Sequence, residues 1–191
     1  MKVIISTLII IFLQFDCSDR KNVVVISTSV GKIVLELFPD KAPITVNNFY
    51  KYIEDKKFDN TNFYRTVTTE PDNQPFNSTK INVIQGGIED TSNMFMPIIH
   101  ETTNITALKH LDGTISMARD EPGTATSEFF ICVGDQPSLD FSGARHGDGT
   151  GFAAFGKVFE GMKIVKLIHK SQSVDQRLYP PIKIYFIRRI K

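Results

Sequence analysis

The strongest constraint on what this chain can fold into is the spacing of its apolar residues, which come in short runs separated by turn-rich stretches. Ile33, Leu35 and Leu37 alternate with Lys32, Val34 and Glu36, the period-two pattern of a half-buried strand. Residues 22–28 form a β-rich run just before it, and the short turn at 29–31, which ends in glycine, predicts a hairpin. Further short apolar segments recur at 62–67, 81–85, 114–117, 128–133, 152–158 and 182–190. Two stretches read as helices instead. From about residue 43, proline suits a first helical turn, and Val46, Phe49, Tyr50 and Ile53 make one apolar face. Over 161–170, Ile164, Val165, Leu167 and Ile168 do the same. Many short strands with two isolated helices predict a mainly β fold, a closed barrel capped by helices, since closure removes edge strands.

A chain of 191 residues favours one domain. Its net charge of +1 gives no reason to expect nucleic acid as a partner. The N-terminus stands apart. Lys2 precedes an apolar run over 3–13, shorter than the roughly 20 residues that span a bilayer but suited to a secretory signal core. The run leads to Cys17, where a lipoprotein signal places its lipidated cysteine, although Gln14, Phe15 and Asp16 are not the usual small residues before it. Lipidation at Cys17, simple cleavage nearby and an uncleaved anchor all remain open. The chain is thus divided into a signal segment over 1–17, a short linker over 18–22 and a folded domain over 23–191. It is expected to be exported to the periplasm or the membrane surface of the cell envelope, touching membrane only through an N-terminal lipid anchor. Cys132, inside an apolar run, reads as a buried small hydrophobe, and a disulfide to Cys17 is not expected.

Several motifs resemble chemistry without completing it. His100-Glu101-Thr102-Thr103-Asn104 starts like a zinc-protease helix but lacks the second histidine. The glycine-rich stretch 146–151 has no lysine and hydroxyl pair after it and reads as a flexible turn. The four histidines show no ligand spacing, and Ser116 and Ser127 have no visible base partner. No metal or cofactor is expected. The residues alone support an exported β-rich globular domain and nothing sharper.

The blocks Gly31-Lys32-Ile33, Leu35-Glu36-Leu37-Phe38-Pro39, Phe63-Tyr64-Arg65, Ile84-Gln85-Gly86-Gly87, Gly113-Thr114-Ile115-Ser116-Met117-Ala118-Arg119, Ser127-Glu128-Phe129-Phe130-Ile131 and Phe155-Gly156-Lys157-Val158 occur in this order. Together they resemble the cyclophilin family of peptidyl-prolyl cis–trans isomerases. The segment from Glu128 through Leu139-Asp140 to Phe152 and Gly156 is most similar to bacterial envelope members. The resemblance implies a closed eight-stranded antiparallel β-barrel with two capping α-helices. It also implies acceleration of Xaa-Pro rotation in proline-containing peptides and unfolded exported proteins. The chain is expected to be a monomer, although the sequence does not reveal its oligomeric state.

By the same resemblance, Arg65 is the catalytic donor and Gln85 positions the substrate carbonyl and the arginine. Phe130 and Leu139 line the proline pocket. Met117 and Ala118 lie on the segment that pairs with the residue before proline, and Arg119 follows where many members carry asparagine. Outside this motif Arg65 would read as a surface residue at a strand end, Gln85 as a barrel-interior amide, and Phe130 and Leu139 as plain core. Four departures bear on substrate binding. Asn82 stands for a pocket phenylalanine, with Val83 for a methionine beside it, Glu128 for a glutamine, Phe152 for a histidine and Ser138 for a tryptophan. Two long polar loops, 68–80 and 141–151, also interrupt the pattern, and the first lengthens the gap between Arg65 and Gln85 and obscures the register there. Glu128 is expected to hold the Arg65 guanidinium in place, although a carboxylate there could also compete for its donors. The alternative function is a catalytically weak proline-peptide binding module or chaperone.

Overall fold

The computed structural model describes residues 22–190. The apolar leader, Cys17 and the linker up to residue 21 lie outside the described residues. Strands β1 (Val23–Thr28) and β2 (Gly31–Leu37) pair antiparallel with Thr28 opposite Gly31. The turn is therefore the two residues Ser29 and Val30, and the glycine expected in the turn begins the second strand. Thr28 Oγ1 accepts from Val30 N and donates to Gly31 O, which closes the turn with a side chain. Val24, Ile26, Ile33, Leu35 and Leu37 are buried, as the alternation predicts.

Helix α1 (Pro43–Glu54) buries Val46, Phe49, Tyr50 and Ile53. Its first-turn amides lack intrahelical partners, and Glu101 supplies them from a distant loop. Glu101 Oε1 accepts from Ile44 N at 3.1 Å, and Oε2 accepts from Thr45 N at 2.8 Å and Thr45 Oγ1 at 2.7 Å. The glutamate of the protease-like motif is thus a helix cap, with its charge at the positive end of the helix dipole.

The chain continues through β3 (Asn62–Val67), β4 (Val83–Gly87), the short α2 (Thr103–Thr106), β5 (Thr114–Met117), β6 (Phe129–Cys132), β7 (Ala153–Glu160), α3 (Met162–His169), β8 (Ser173–Val174) and β9 (Arg177–Ile190). Antiparallel neighbours run β1-β2-β7-β5-β6-β4-β3-β9, and β9 returns to β1. Eight strands therefore close a barrel, and β8 is a two-residue addition paired to β9. The last strand begins earlier than its apolar pattern suggested. Its first residues form a hairpin with β8 across Asp175 and Gln176, both at positive φ (48° and 70°). Such a turn usually announces itself by Asn-Gly or Asp-Gly, and here it does not.

The barrel interior is aromatic. Phe129 receives Phe49, Phe58 and Phe63 edge-on, with ring centroids 5.6–5.7 Å apart, a favoured geometry for ring quadrupoles. Strand β6 is buried on both faces. Phe129 and Ile131 face the main core. Phe130 and Cys132 join a second apolar cluster with Val67, Ile81, Val83 and Leu139. Cys132 is a free thiol, and burial pushes its pKa up. Four members of the second cluster, Ile81, Val83, Phe130 and Leu139, line the site.

Candidate active site

Strand β3 carries a bulge at the residues that matter. Phe63 pairs with Gly86 and Arg65 with Gln85, so Tyr64 is an extra residue and both Tyr64 and Arg65 oppose Gln85. Bulges re-aim side chains in this way. Arg65 Nη1 donates to Gln85 Oε1 at 2.7 Å, and Gln85 Nε2 donates to the Tyr64 hydroxyl at 2.7 Å. The Tyr64 hydroxyl donates in turn to Glu128 Oε1. Close backbone approach makes the chain possible. A Cβ on Gly86 would lie 2.8 Å from Asn62 O, and one on Gly87, at φ +133°, 2.8 Å from the Glu128 Cα.

Glu128 therefore does not hold Arg65 directly, as the sequence suggested. It acts through Tyr64 and Gln85. Burial raises the Glu128 pKa against the opposing Tyr64 hydrogen bond. Burial and then Glu128 raise that of Tyr64. Besides Gln85, the direct partner of Arg65 is Gln176, which sequence reasoning missed. Gln176 Oε1 accepts from Arg65 Nε at 3.0 Å and Nη2 at 2.6 Å, and Gln176 Nε2 donates to Asn73 O at 2.8 Å. The positive-φ turn delivers this amide to the guanidinium. Burial lowers the Arg65 pKa while Tyr64 and Glu128 oppose it, and an arginine stays charged regardless.

A cavity of about 360 Å³ opens beside Arg65. Gln85, Val83, Ala118, Arg119, Glu128, Phe130, Leu139 and Phe152 all line it, so the site residues named from sequence are brought together with one exception. Met117 faces away into the main core and is 1% exposed. Ile81 lines the cavity and was not anticipated. Ile81, Val83 and Gln85 share one face by the period-two rule, and Asn82 points the other way. Its Oδ1 accepts from Thr69 N and Oγ1 in loop 68–80. Asn82 thus removes no apolar wall.

Two further side chains play different parts from those expected. The Arg119 side chain is 2% exposed. It donates to the Asp148 carboxylate at 2.8 and 3.0 Å and to Gly151 O at 2.6 and 2.9 Å, and it stacks 5.0 Å over Phe152. It pins the glycine-rich turn, read from sequence as flexible, and backs the Phe152 wall. Arg119 also holds the Asp148 carboxyl well below the usual carboxylate range. Ser116, which had no visible base in the sequence, has one in space. His110 Nε2 lies 3.0 Å from Ser116 Oγ, and His110 Nδ1 lies 2.8 Å from Asp140 Oδ1. The order resembles a nucleophile triad, but Ser116 and His110 are at most 1% exposed. With no access for a substrate, the trio is a strut. The His110 ring stacks on Phe130 at 5.9 Å, and Phe152 meets the same ring edge-on at 5.4 Å. Phe130 is thus fixed as the cavity floor.

This arrangement offers a rigid apolar slot for a small ring, a cation held at its rim and an amide beside it. The family model described as cyclophilin type peptidyl-prolyl cis-trans isomerase/CLD matches residues 23–189. The chain is 35% identical over 169 residues to the peptidyl-prolyl cis-trans isomerase cyp18 of Streptomyces antibioticus, covering 85% of this chain and 92% of that one. It is 37% identical over 145 residues to peptidyl-prolyl cis-trans isomerase B of Escherichia coli, covering 74% and 80%. A cyclophilin type isomerase of Cryptosporidium parvum, crystallised in the presence of the dipeptide Ala-Pro, shares the fold with a TM-score of 0.70 at 23% identity, over 88% of this chain and 99% of that one.

Proposed function

The chain belongs to the cyclophilin-type peptidyl-prolyl cis–trans isomerases, and from that premise we propose that it accelerates Xaa-Pro rotation through a hydrogen bond from Arg65 to the twisting bond. The peptide C–N bond resists rotation by about 18–20 kcal/mol because of conjugation. At the twisted geometry the prolyl nitrogen loses conjugation and gains a lone pair. A donor aimed there is stronger in the transition state than in either planar isomer, which is what lowers the barrier. No covalent bond is made or broken.

The supporting observation is the state of Arg65. A guanidinium has five N–H groups, and three bonds go to Gln85 and Gln176, which leaves two. The planar fork is held from both sides beside a cavity walled by Ile81, Val83, Phe130, Leu139 and Phe152. The proline ring occupies that apolar slot, the residue before it runs along Ala118, and Gln85 holds the carbonyl and the arginine. The substitutions at Asn82 and Glu128 would favour the weak-binder alternative if they opened the slot or occupied the Arg65 donors. Asn82 faces a loop, and the Glu128 carboxylate engages Tyr64 rather than the Arg65 donors.

The direct test is isomerisation of a short Ala-Pro-Phe peptide by the protein, followed by exchange NMR. Rotation no faster than in buffer would overturn the reading. Glu128 gives a second, smaller effect. Glu128→Gln keeps an acceptor for the Tyr64 hydroxyl, so turnover falls by less than about tenfold, in line with a single neutral-for-charged hydrogen bond. A clear rise in kcat would mean that the carboxylate competes with substrate for Arg65.

The clients proposed for this site are proline-containing segments of exported proteins. Lys2, the apolar run 3–13 and Cys17 support export, with Cys17 as a lipid attachment point. Cys17→Ser is expected to move the protein from the membrane fraction to the soluble envelope fraction. An unchanged distribution would rule out the anchor.

A further inference from the structure

Six arginines fall among the described residues, and four are paired with a carboxylate: Arg119 with Asp148, Arg177 with Glu89, Arg188 with Asp59 and Arg189 with Glu54. The two without one are Arg65 and Arg145, and both line the same cavity. Arg145 sits where the two long loops of the sequence meet. Its Nη1 donates to Gln74 Oε1 at 3.0 Å and to Thr79 O at 2.7 Å, and its backbone N donates to Ser138 O at 3.1 Å. Gln74 is itself buried and fixed by bonds to Thr68 O and Ile81 O. The guanidinium is thus anchored by one nitrogen, while Nε and Nη2 have no acceptor among the described residues. That free edge is the side from which a guanidinium grips a carboxylate with two parallel bonds.

The charges around the cavity leave this pair unsatisfied. Burial lowers the Arg145 pKa, and the Arg65 charge lowers it further, so two like charges share one partly dry cleft. The carboxylates that also line it are engaged or belong to another wall. Glu128 takes the Tyr64 hydroxyl. Asp120 lies on the segment that follows Ala118, beside the residue before proline. That leaves Arg145, the residue of 141–151 that lines the cavity, for the residue that follows proline.

We propose that Arg145, together with Arg65, forms a carboxylate-binding corner of the cavity, so that the enzyme favours Xaa-Pro bonds followed directly by an acidic side chain or by the terminal carboxylate of the chain. This rests on the isomerase reading above and adds a substrate class to it. The +1 net charge of the chain gives no hint of such a preference, because it is local.

The test compares Ala-Ala-Pro-Xaa-Ala amides with Glu, Gln or Lys after proline, and Ala-Ala-Pro as free acid against its amide. At low salt, kcat/KM for Glu should exceed that for Gln roughly threefold to tenfold, the range of a partly desolvated ion pair. Lys should fall below Gln, and added salt should narrow the gap. Arg145→Gln should bring the Glu-to-Gln ratio to about one, whatever happens to the absolute rate. Arg145→Lys, which keeps the charge and loses the fork, should retain part of it and serves if the glutamine variant does not fold. The free-acid arm separates a terminal carboxylate from an acidic side chain as the preferred group. Equal rates for charged and neutral peptides in the wild type, or a full preference surviving in Arg145→Gln, would overturn the proposal and leave the isomerase reading intact. Absence of turnover on every peptide would instead sink the isomerase reading, and the carboxylate preference would then stand or fall on calorimetric binding of the same peptides.

Discussion

Arg65→Ala is expected to lower kcat/KM for a short Ala-Pro-Phe peptide by about 10²–10³, the loss that follows removal of one preorganised transition-state donor. The estimate applies because Arg65 is preorganised. Its guanidinium is gripped by Gln85 on one side and by Gln176 on the other, so little reorganisation accompanies the twist. Burial of the cation also strengthens each bond it makes, since fewer waters compete. Lysine should not rescue the loss, because a point charge cannot be held from two sides while still presenting donors to substrate. A graded control comes from Gln176→Ala, which leaves the donor in place but frees it to move. Misplacement without removal should reduce kcat by roughly tenfold, with KM nearly unchanged. Equal activity of wild type and Arg65→Ala would show that the apolar slot alone carries the catalysis. A Gln176→Ala variant that changed KM rather than kcat would show that the amide binds substrate instead of the arginine.

The sequence exposed those parts of the molecule that depend on local pattern. Ile33, Leu35 and Leu37 announce their strand and its buried face, and Val46, Phe49, Tyr50 and Ile53 announce a helix. The block resemblance then brought Arg65, Gln85, Phe130 and Leu139 to one place, where all four line the cavity. What stayed hidden depends on contacts between distant segments. Gln176 lies 111 residues from Arg65 and arrives on a turn without the usual Asn-Gly signal. Tyr64 looks like an ordinary strand aromatic until a bulge sets it beside Arg65. The long loop obscured register before Gln85, and a shift of one residue exchanges the faces of a strand. That is why Asn82 reads from the sequence as a wall residue, whereas Ile81 is the true neighbour of the slot. Glu101 was seen inside a metal-like motif, and its real partner is the start of a helix more than fifty residues away.

The neighbouring residues Phe129 and Phe130 should separate stability from activity, because one strand presents them to different environments. Phe129 is fully buried and is met edge-on by three phenylalanines in the barrel core. Phe129→Ala removes a ring from a closed interior that can collapse only in part, so it should cost about 3–5 kcal/mol of unfolding free energy. For a domain of this size that lowers Tm by on the order of 10 °C. Phe130 also has little exposure, yet it faces the slot and is clamped between His110 and Phe152. Phe130→Ala opens a space that joins an existing cavity where water can enter, so its stability cost should be smaller. Its cost in kcat/KM should be larger, because the proline ring loses the floor it rests on. Urea unfolding with an unchanged m-value, alongside peptide isomerisation, measures both quantities for both variants. If Phe130→Ala proved the more destabilising and Phe129→Ala the less active at a temperature where both are folded, the two faces of the strand would have the opposite roles, and the slot would have to be sought on the other side of the barrel wall.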